Sequence, residues 1–333
     1  MSAAPTARLD GARVLVLGAA GFIGRWVARA AADAGASLVL GVRDRPAATS
    51  VFSDFDVRGE VIACDLRDTS ATRSLVHHVR PSVVFNLAGY GVDPTERDES
   101  MARQLNAELP ATLVRACAEV ASTSDDRPVL VHVGSALEYG TAHGELAEDG
   151  PASPTTLYGR TKLDGTLAVG RLSSPLGVRA CTARLFTVYG PGEHAGRLLP
   201  SLLEAARGDG PVPLTEGLQR RDFAYVVDVA EALVRLAVSP VEPGEVVNVA
   251  SGSMQSVRRF VDVAASLLGI SPDRLRFGAL ATRPEEMRNT GVRLDRLRAL
   301  VGGAPSPSIE RGIERTIEVL RALEHRPSGA RPS

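Results

Sequence analysis

RVLVLGAAGFIG, residues 13–24, runs from a buried-strand pattern through a glycine turn into the opening of a helix. Apolar residues fill the strand, and the helical pattern continues over Phe22–Ala34. Gly18 permits a tight turn, Gly21 lets backbone approach a pyrophosphate, and Gly24 lets helix and strand pack closely. Ala20, Phe22 and Ile23 complete the loop, and the helix N-terminus offers its amides to negative charge. A glycine triplet alone is weak evidence, but here it sits between a strand and a helix, which points to a bound dinucleotide.

Outward from this unit, strand and helix patterns alternate. Further strands are expected at 37–43, 61–65, 82–88, 128–135 and 178–186, and long helices near 97–120 and 156–172. Continuous apolar strands alternating with helices predict an α/β chain, a Rossmann doubly wound parallel sheet covered on both faces. After about Gly190, Gly and Pro recur and the elements shorten. Helices are expected near 197–207, 227–237, 256–268 and 308–323, with small strands near 222–226 and 246–249. The expected organisation is a flexible leader (1–10), a dinucleotide-binding domain (11–190), a smaller C-terminal α/β substrate-binding lobe (191–323) and a disordered tail (324–333). Chain crossings between the lobes are allowed for.

The composition narrows the partners. The 333 residues carry 38 basic and 39 acidic side chains, so no basic excess draws the chain to nucleic acid or an anionic membrane. No apolar run reaches the ~20 residues of a membrane span, and no signal peptide is evident. Cys64, Cys117 and Cys181 lie far apart, and neither they nor the six histidines show metal-ligand spacing. No metal site is expected, and the location expected is the cytoplasm.

The end of the second strand chooses the cofactor. An NAD enzyme places a carboxylate there for the ribose 2′-hydroxyl. This chain reads Gly41-Val42-Arg43-Asp44-Arg45, with valine at the acid's place and arginine next. A guanidinium binds a 2′-phosphate bidentately, so NADP(H) is favoured, with NAD(H) possible through Asp44. Asp65-Leu66 closes the third strand, where the carboxylate has the adenine amino group within reach, although Asp68 is the better helix cap. Ala88 and Gly89, after the fourth strand, are small enough for backbone to lie along the cofactor.

Lys162 is the only lysine in the chain, and it stands four residues after Tyr158. That spacing places phenol and ammonium on one helical face. An ammonium ~4 Å away favours the phenolate by up to ~4 kcal/mol at an effective dielectric near 20, about three pKa units. The expectation is therefore a tyrosine with a lowered pKa that moves a proton to or from a substrate oxygen. Ser135 ends the fifth strand, where an open sheet places ligand-contacting residues, and its hydroxyl can hold that oxygen.

Together these segments resemble the extended short-chain dehydrogenase/reductase family, the NAD(P)-dependent epimerase/dehydratase group. The matching runs are GAAGFIG (18–24), CDLRD (64–68), NLAG (86–89), GSALEYG (134–140), YGRTK (158–162), RLFTVYGPGE (184–193), RRDFAYVVDVAEA (220–232) and TRPEE (282–286). The resemblance implies Ser135, Tyr158 and Lys162 as a catalytic triad and a nucleotide-activated sugar as substrate. It implies that Arg221 and Arg283 hold the substrate's diphosphate. It also implies a homodimer through the helices near 97–120 and 156–172.

Departures from the family narrow the reaction. Sugar 4,6-dehydratases resemble T-D-E-x-Y, whereas this chain has Ala136 and Leu137 where their acid and base stand. Glu138 before Tyr139 is similar to the G-S-S-x-E-Y-G of GDP-4-keto-6-deoxymannose reductases. Thr187 replaces an asparagine that contacts diphosphate in many members, and VRDRP (42–46) resembles NADPH-using dihydroflavonol-type reductases. The reading that results is a 4-ketoreductase of a nucleotide-linked 4-keto-6-deoxyhexose. A nucleotide-sugar 4-epimerase with retained cofactor is the first alternative, and a non-catalytic NADP(H)-sensing protein the second.

Overall fold

The computed structural model describes residues 8–92, 95–122, 127–282, 288–305 and 308–325. The first half runs β1 (Arg13–Leu17), α1 (Phe22–Asp33), β2 (Ser37–Val42), α2 (Arg45–Asp54), β3 (Glu60–Ala63), α3 (Thr69–Val79), β4 (Val83–Asn86), α4 (Glu99–Ala102), α5 (Leu109–Ser122), β5 (Val129–Ser135), β6 (His143–Leu146) and α6 (Leu157–Ser173). It continues with β7 (Arg179–Leu185), β8 (Thr187–Tyr189), α7 (Leu198–Ala205), β9 (Val212–Pro213), β10 (Arg220–Tyr225), α8 (Val226–Val238) and β11 (Glu245–Val249). The last elements are β12 (Met254–Ser256), α9 (Val257–Leu268), β13 (Leu275–Arg276), β14 (Arg288–Val292), α10 (Asp295–Val301) and α11 (Ile309–Glu324).

Seven parallel strands form the main sheet in the order β11-β7-β5-β4-β1-β2-β3. The order reverses between β1 and β4, and the crevice outside their carboxyl ends is where such a sheet binds ligands. Alternation within β1 shows how both faces are covered. Val14 and Val16 pack in one cluster with α1 and α8, while Leu15 and Leu17 pack in the other with α3 and α5. The expected doubly wound parallel sheet is the one observed.

A third cluster joins Tyr189, Leu199, Phe223, Phe260 and Ile313 around the three-stranded sheet β12-β10-β8. The Phe223 and Phe260 rings stack at 4.3 Å, and Tyr189 meets Phe260 edge-on at 5.1 Å.

Two elements expected in the smaller lobe belong to the large sheet instead. The helix expected near 227–237 is α8, whose Val229, Leu233 and Leu236 share a cluster with Val27 and Ala28 of α1. The strand expected near 246–249 is β11, which pairs with β7 and forms an edge of the sheet. Its continuous VVNV run is the pattern of a strand covered on both faces, so the signal was in the sequence.

The helix expected over 97–120 is interrupted. Residues Arg103–Glu108 form a π-helical turn between α4 and α5. Pro110 has no N–H to give the carbonyl four residues back, which is that of Asn106. Helix α6 comes close at this point: a Cβ on Gly165 would stand 2.1 Å from the Asn106 carbonyl oxygen.

Candidate active site

The glycine turn forms a cradle at the switch point. Gly18 has φ +75°, and a Cβ there would lie 2.9 Å from the backbone nitrogen of Ala88 at the end of β4. A Cβ on Gly24 would lie 2.1 Å from the Gly18 carbonyl oxygen, so only glycine lets α1 start this close to the strand. Gly21 caps α1 without a side-chain bond, which leaves the amides at that end open to an anion. Open amides at a helix start suit an anion such as a pyrophosphate, and Gly18, Ala20, Gly21, Phe22, Ile23 and Gly24 are the residues of this turn.

At the far end of the cradle Arg43 is exposed, whereas the Asp44 carboxylate accepts from the Ala47 amide at 3.0 Å and caps α2. Asp68 caps α3 through the amides of Ser70 and Ala71. Asp65 is paired with Arg67 at 2.6 Å, and that hydrogen bonding holds its carboxyl down at about 2. Leu66 packs at the edge of the α3–α5 cluster.

Lys162 meets the cofactor side at Gly89, where a Cβ would stand 3.8 Å from Nζ and 3.2 Å from Asn106 Oδ1. Asn106 fixes this loop. Its Nδ2 donates to the Tyr90 carbonyl at 2.7 Å and to Thr161 Oγ1 at 2.9 Å, and its Oδ1 accepts from the Tyr90 amide at 3.0 Å. Sequence reasoning missed Asn106; the signal was a polar residue inside a helical run, four before a proline.

Tyr158 and Lys162 lie on α6, which is capped by Thr156 through the Gly159 amide. Gly159 brings the helix against the Ser135 segment, since a Cβ there would lie 2.4 Å from the Leu137 carbonyl oxygen. The Ser135 hydroxyl is near enough to the Tyr158 phenol to favour its ionised form. The three residues expected to form the site are therefore assembled.

The phenol does not behave as the spacing predicts. Burial, with the Glu138 carboxylate second, pushes Tyr158 well above the usual tyrosine range. Lysine is itself affected: burial lowers Lys162 to about 8, against the field of Glu138, which raises it. The helical spacing gave a shared face, but desolvation outweighs the pairwise attraction. Between about 8 and the ordinary lysine value of 10.5 the unfolded chain holds this proton and the folded chain does not, so the contribution to stability rises with pH there.

Below the site lies a buried polar network. Glu138 Oε1 accepts from the Ser135 amide at 2.7 Å, and Oε2 accepts from Arg184 Nε at 2.7 Å and Thr166 Oγ1 at 2.9 Å. The Glu138 and Arg184 side chains are 0% and 5% exposed. Arg184 also lies 4.6 Å over the Tyr139 ring, and Tyr139 donates to Asn248 Oδ1 at 2.7 Å.

On the substrate side, Thr187 of β8 pairs in register with Phe223 of β10, two residues beyond partly buried Arg221. Asp222 accepts from the Ser251 and Gly252 amides at 2.7 Å each, a structural role. Arg220 is exposed and donates to the Met254 carbonyl. Arg283 lies outside the described residues. Glu193, in the loop after β8, was also missed by sequence reasoning; burial pushes it up to about 7, with Arg197 3.6 Å away.

Among the described residues no three His, Cys, Asp or Glu side chains gather as metal ligands, and no helix is long and apolar enough to cross a membrane.

This geometry agrees with the family record. Residues 14–250 match the model of the NAD dependent epimerase/dehydratase family, and the chain belongs to that family. It is 33% identical over 274 residues to dTDP-6-deoxy-L-talose 4-dehydrogenase (NAD(P)(+)) of Kitasatospora kifunensis, covering 78% of this chain and 80% of the relative. It is 28% identical to a probable dTDP-4,6-dihydroxy-2-methyloxan-3-one 4-ketoreductase of Streptomyces antibioticus, covering 95% and 98%. Among solved structures it is similar to MoeE5 in complex with UDP-glucose and NAD, with TM-score 0.78, 28% identity, and coverage of 93% and 99%. The chain is accordingly an NAD(P)-dependent enzyme of the extended short-chain dehydrogenase/reductase type that modifies a nucleotide sugar.

Proposed function

We propose that the enzyme reduces the C4 ketone of a nucleotide-activated 4-keto-6-deoxyhexose with NADPH. Bound in the glycine cradle, the nicotinamide would supply the hydride. Tyr158 gives its phenol proton to the C4 oxygen, Ser135 holds that oxygen, and Lys162 donates to the nicotinamide ribose. Arg221, Arg283 and Thr187 are assigned to the substrate, with the two arginines on its diphosphate.

One observation carries the choice of reaction. The segment after Ser135 offers Ala136 and Leu137, and its one carboxylate, Glu138, is fully buried and already bonded to Ser135, Arg184 and Thr166. No group on that segment is left to remove a proton and eliminate water, so the triad does redox chemistry alone. The talose relative's name places such chemistry at C4 of a dTDP-sugar.

NADPH rather than NADH follows from the end of β2, where Arg43 is exposed and the Asp44 carboxylate is committed to capping α2. Asp65, Leu66, Ala88 and Gly89 are assigned to the rest of the cofactor.

The second reading, an epimerase with retained cofactor, is supported by the likeness to a protein named UDP-glucose 4-epimerase of Mycolicibacterium smegmatis, 27% identical over 93% of this chain and 98% of the relative. UDP- and dTDP-hexoses incubated with the enzyme and no added cofactor separate the two. The reductase leaves them unchanged, and turnover would establish the epimerase.

We also assign a homodimer through α5 and α6, where Leu167 is 47% exposed, and a cytoplasmic location, which the free thiols of Cys117 and Cys181 suit. Light scattering is expected to give twice the chain mass of 35.0 kDa, and a monomer would refute the interface.

A further inference from the structure

We propose that Glu138 is the positioning residue of this site, a buried carboxylate that ties the strand end bearing Ser135 to the helix bearing Tyr158 and Lys162. The geometry is that of a clamp. One oxygen holds the Ser135 amide at 2.7 Å, while the Ser135 hydroxyl accepts from the Leu137 amide at 3.2 Å, so the strand end and the turn close on each other. The other oxygen joins two elements, Thr166 of α6 and Arg184 of β7. Helix α6 also carries Tyr158 and Lys162. A single side chain thus ties the serine's strand to the helix that bears the other two residues. Gly134 makes room for it, because a Cβ there would stand 2.5 Å from Glu138 Oε1.

The carboxylate also has an electrostatic consequence. Its charge favours the protonated form of both neighbours, the phenol and the ammonium. Reduction needs a loaded phenol. The other charges acting on Tyr158 come from Arg197, which favours the phenolate, and Glu96, which opposes it. For Lys162, Glu138 is the charge that counters burial. Arg184 pairs with Glu138 on the side towards β7.

This inference rests on the reductase reading for its meaning, but its test does not depend on that reading. Because Lys162 is the only lysine, protein labelled with ¹³Cε-lysine gives one side-chain signal, whose shift titrates with that amine. In the wild type the midpoint is expected at about 8. Glu138→Gln keeps the shape and removes the charge, and it should lower the midpoint by about one unit. The basic limb of the pH–turnover profile should move down in parallel. Since Glu138→Gln leaves Arg184 buried without its ion partner, the double variant Glu138→Gln/Arg184→Met is measured beside it and should show the same lowering. Thr166→Ala, which removes one hydrogen bond and no charge, should leave the midpoint in place. An unchanged lysine midpoint in both Gln variants overturns the role of Glu138. A lowered midpoint in an enzyme that leaves NADPH unoxidised when 4-keto sugars are supplied supports Glu138 and overturns the reductase reading alone.

Discussion

Tyr158→Phe is expected to lower turnover by about 10²–10⁴-fold while leaving the fold and cofactor affinity intact. The ring occupies the face of α6 near Gly91, where a Cβ would stand 3.5 Å from Tyr158 Cδ2, and phenylalanine fills that space equally well. What disappears is the hydroxyl beside Ser135 and the proton it carries. Because burial and Glu138 raise the phenol's pKa, the tyrosine is loaded at neutral pH, as ketone reduction requires. Steady-state kinetics beside NADPH titration by fluorescence check this. A variant with near-normal turnover would remove Tyr158 from the chemistry, and one that loses NADPH affinity equally would make its role structural.

Arg184→Met should destabilise the folded chain by about 3–5 kcal/mol, the cost of leaving a buried charge without its partner. The lost partner is Glu138, held at 2.7 Å in a site where neither side chain is more than 5% exposed. Adding Glu138→Gln to this variant removes the stranded charge and should recover much of the loss. Urea unfolding of both proteins measures the two steps. Equal stability of the single and double variants would mean that the pair is already neutral or hydrated in the fold.

The fold was legible because its signals are local. The glycine turn, the apolar strands and the helix caps at Asp44 and Asp68 are each written in a few adjacent residues. The assignment of α8 was not local. Whether an amphipathic helix packs on the large sheet or the small one is settled by contacts such as Val229 and Leu233 with α1, far away in sequence. The members of the catalytic trio could be named because each sits at a strand end or on one helical face. Their electrostatics could not be read, because the sign at Tyr158 depends on burial and on a carboxylate 20 residues upstream. Asn106 and Glu138 escaped for a related reason. Each acts through partners 16 to 55 residues distant, including Tyr90, Thr161, Thr166 and Arg184.

The most direct test of the central claim is the consumption of NADPH by purified enzyme given dTDP-4-keto-6-deoxyglucose, followed by loss of reduced-cofactor absorbance and by identification of the sugar product. The account predicts stoichiometric NADPH oxidation, formation of the C4 alcohol, and slower oxidation of NADH. Absence of cofactor oxidation, together with interconversion of hexose epimers by enzyme as purified, would contradict it.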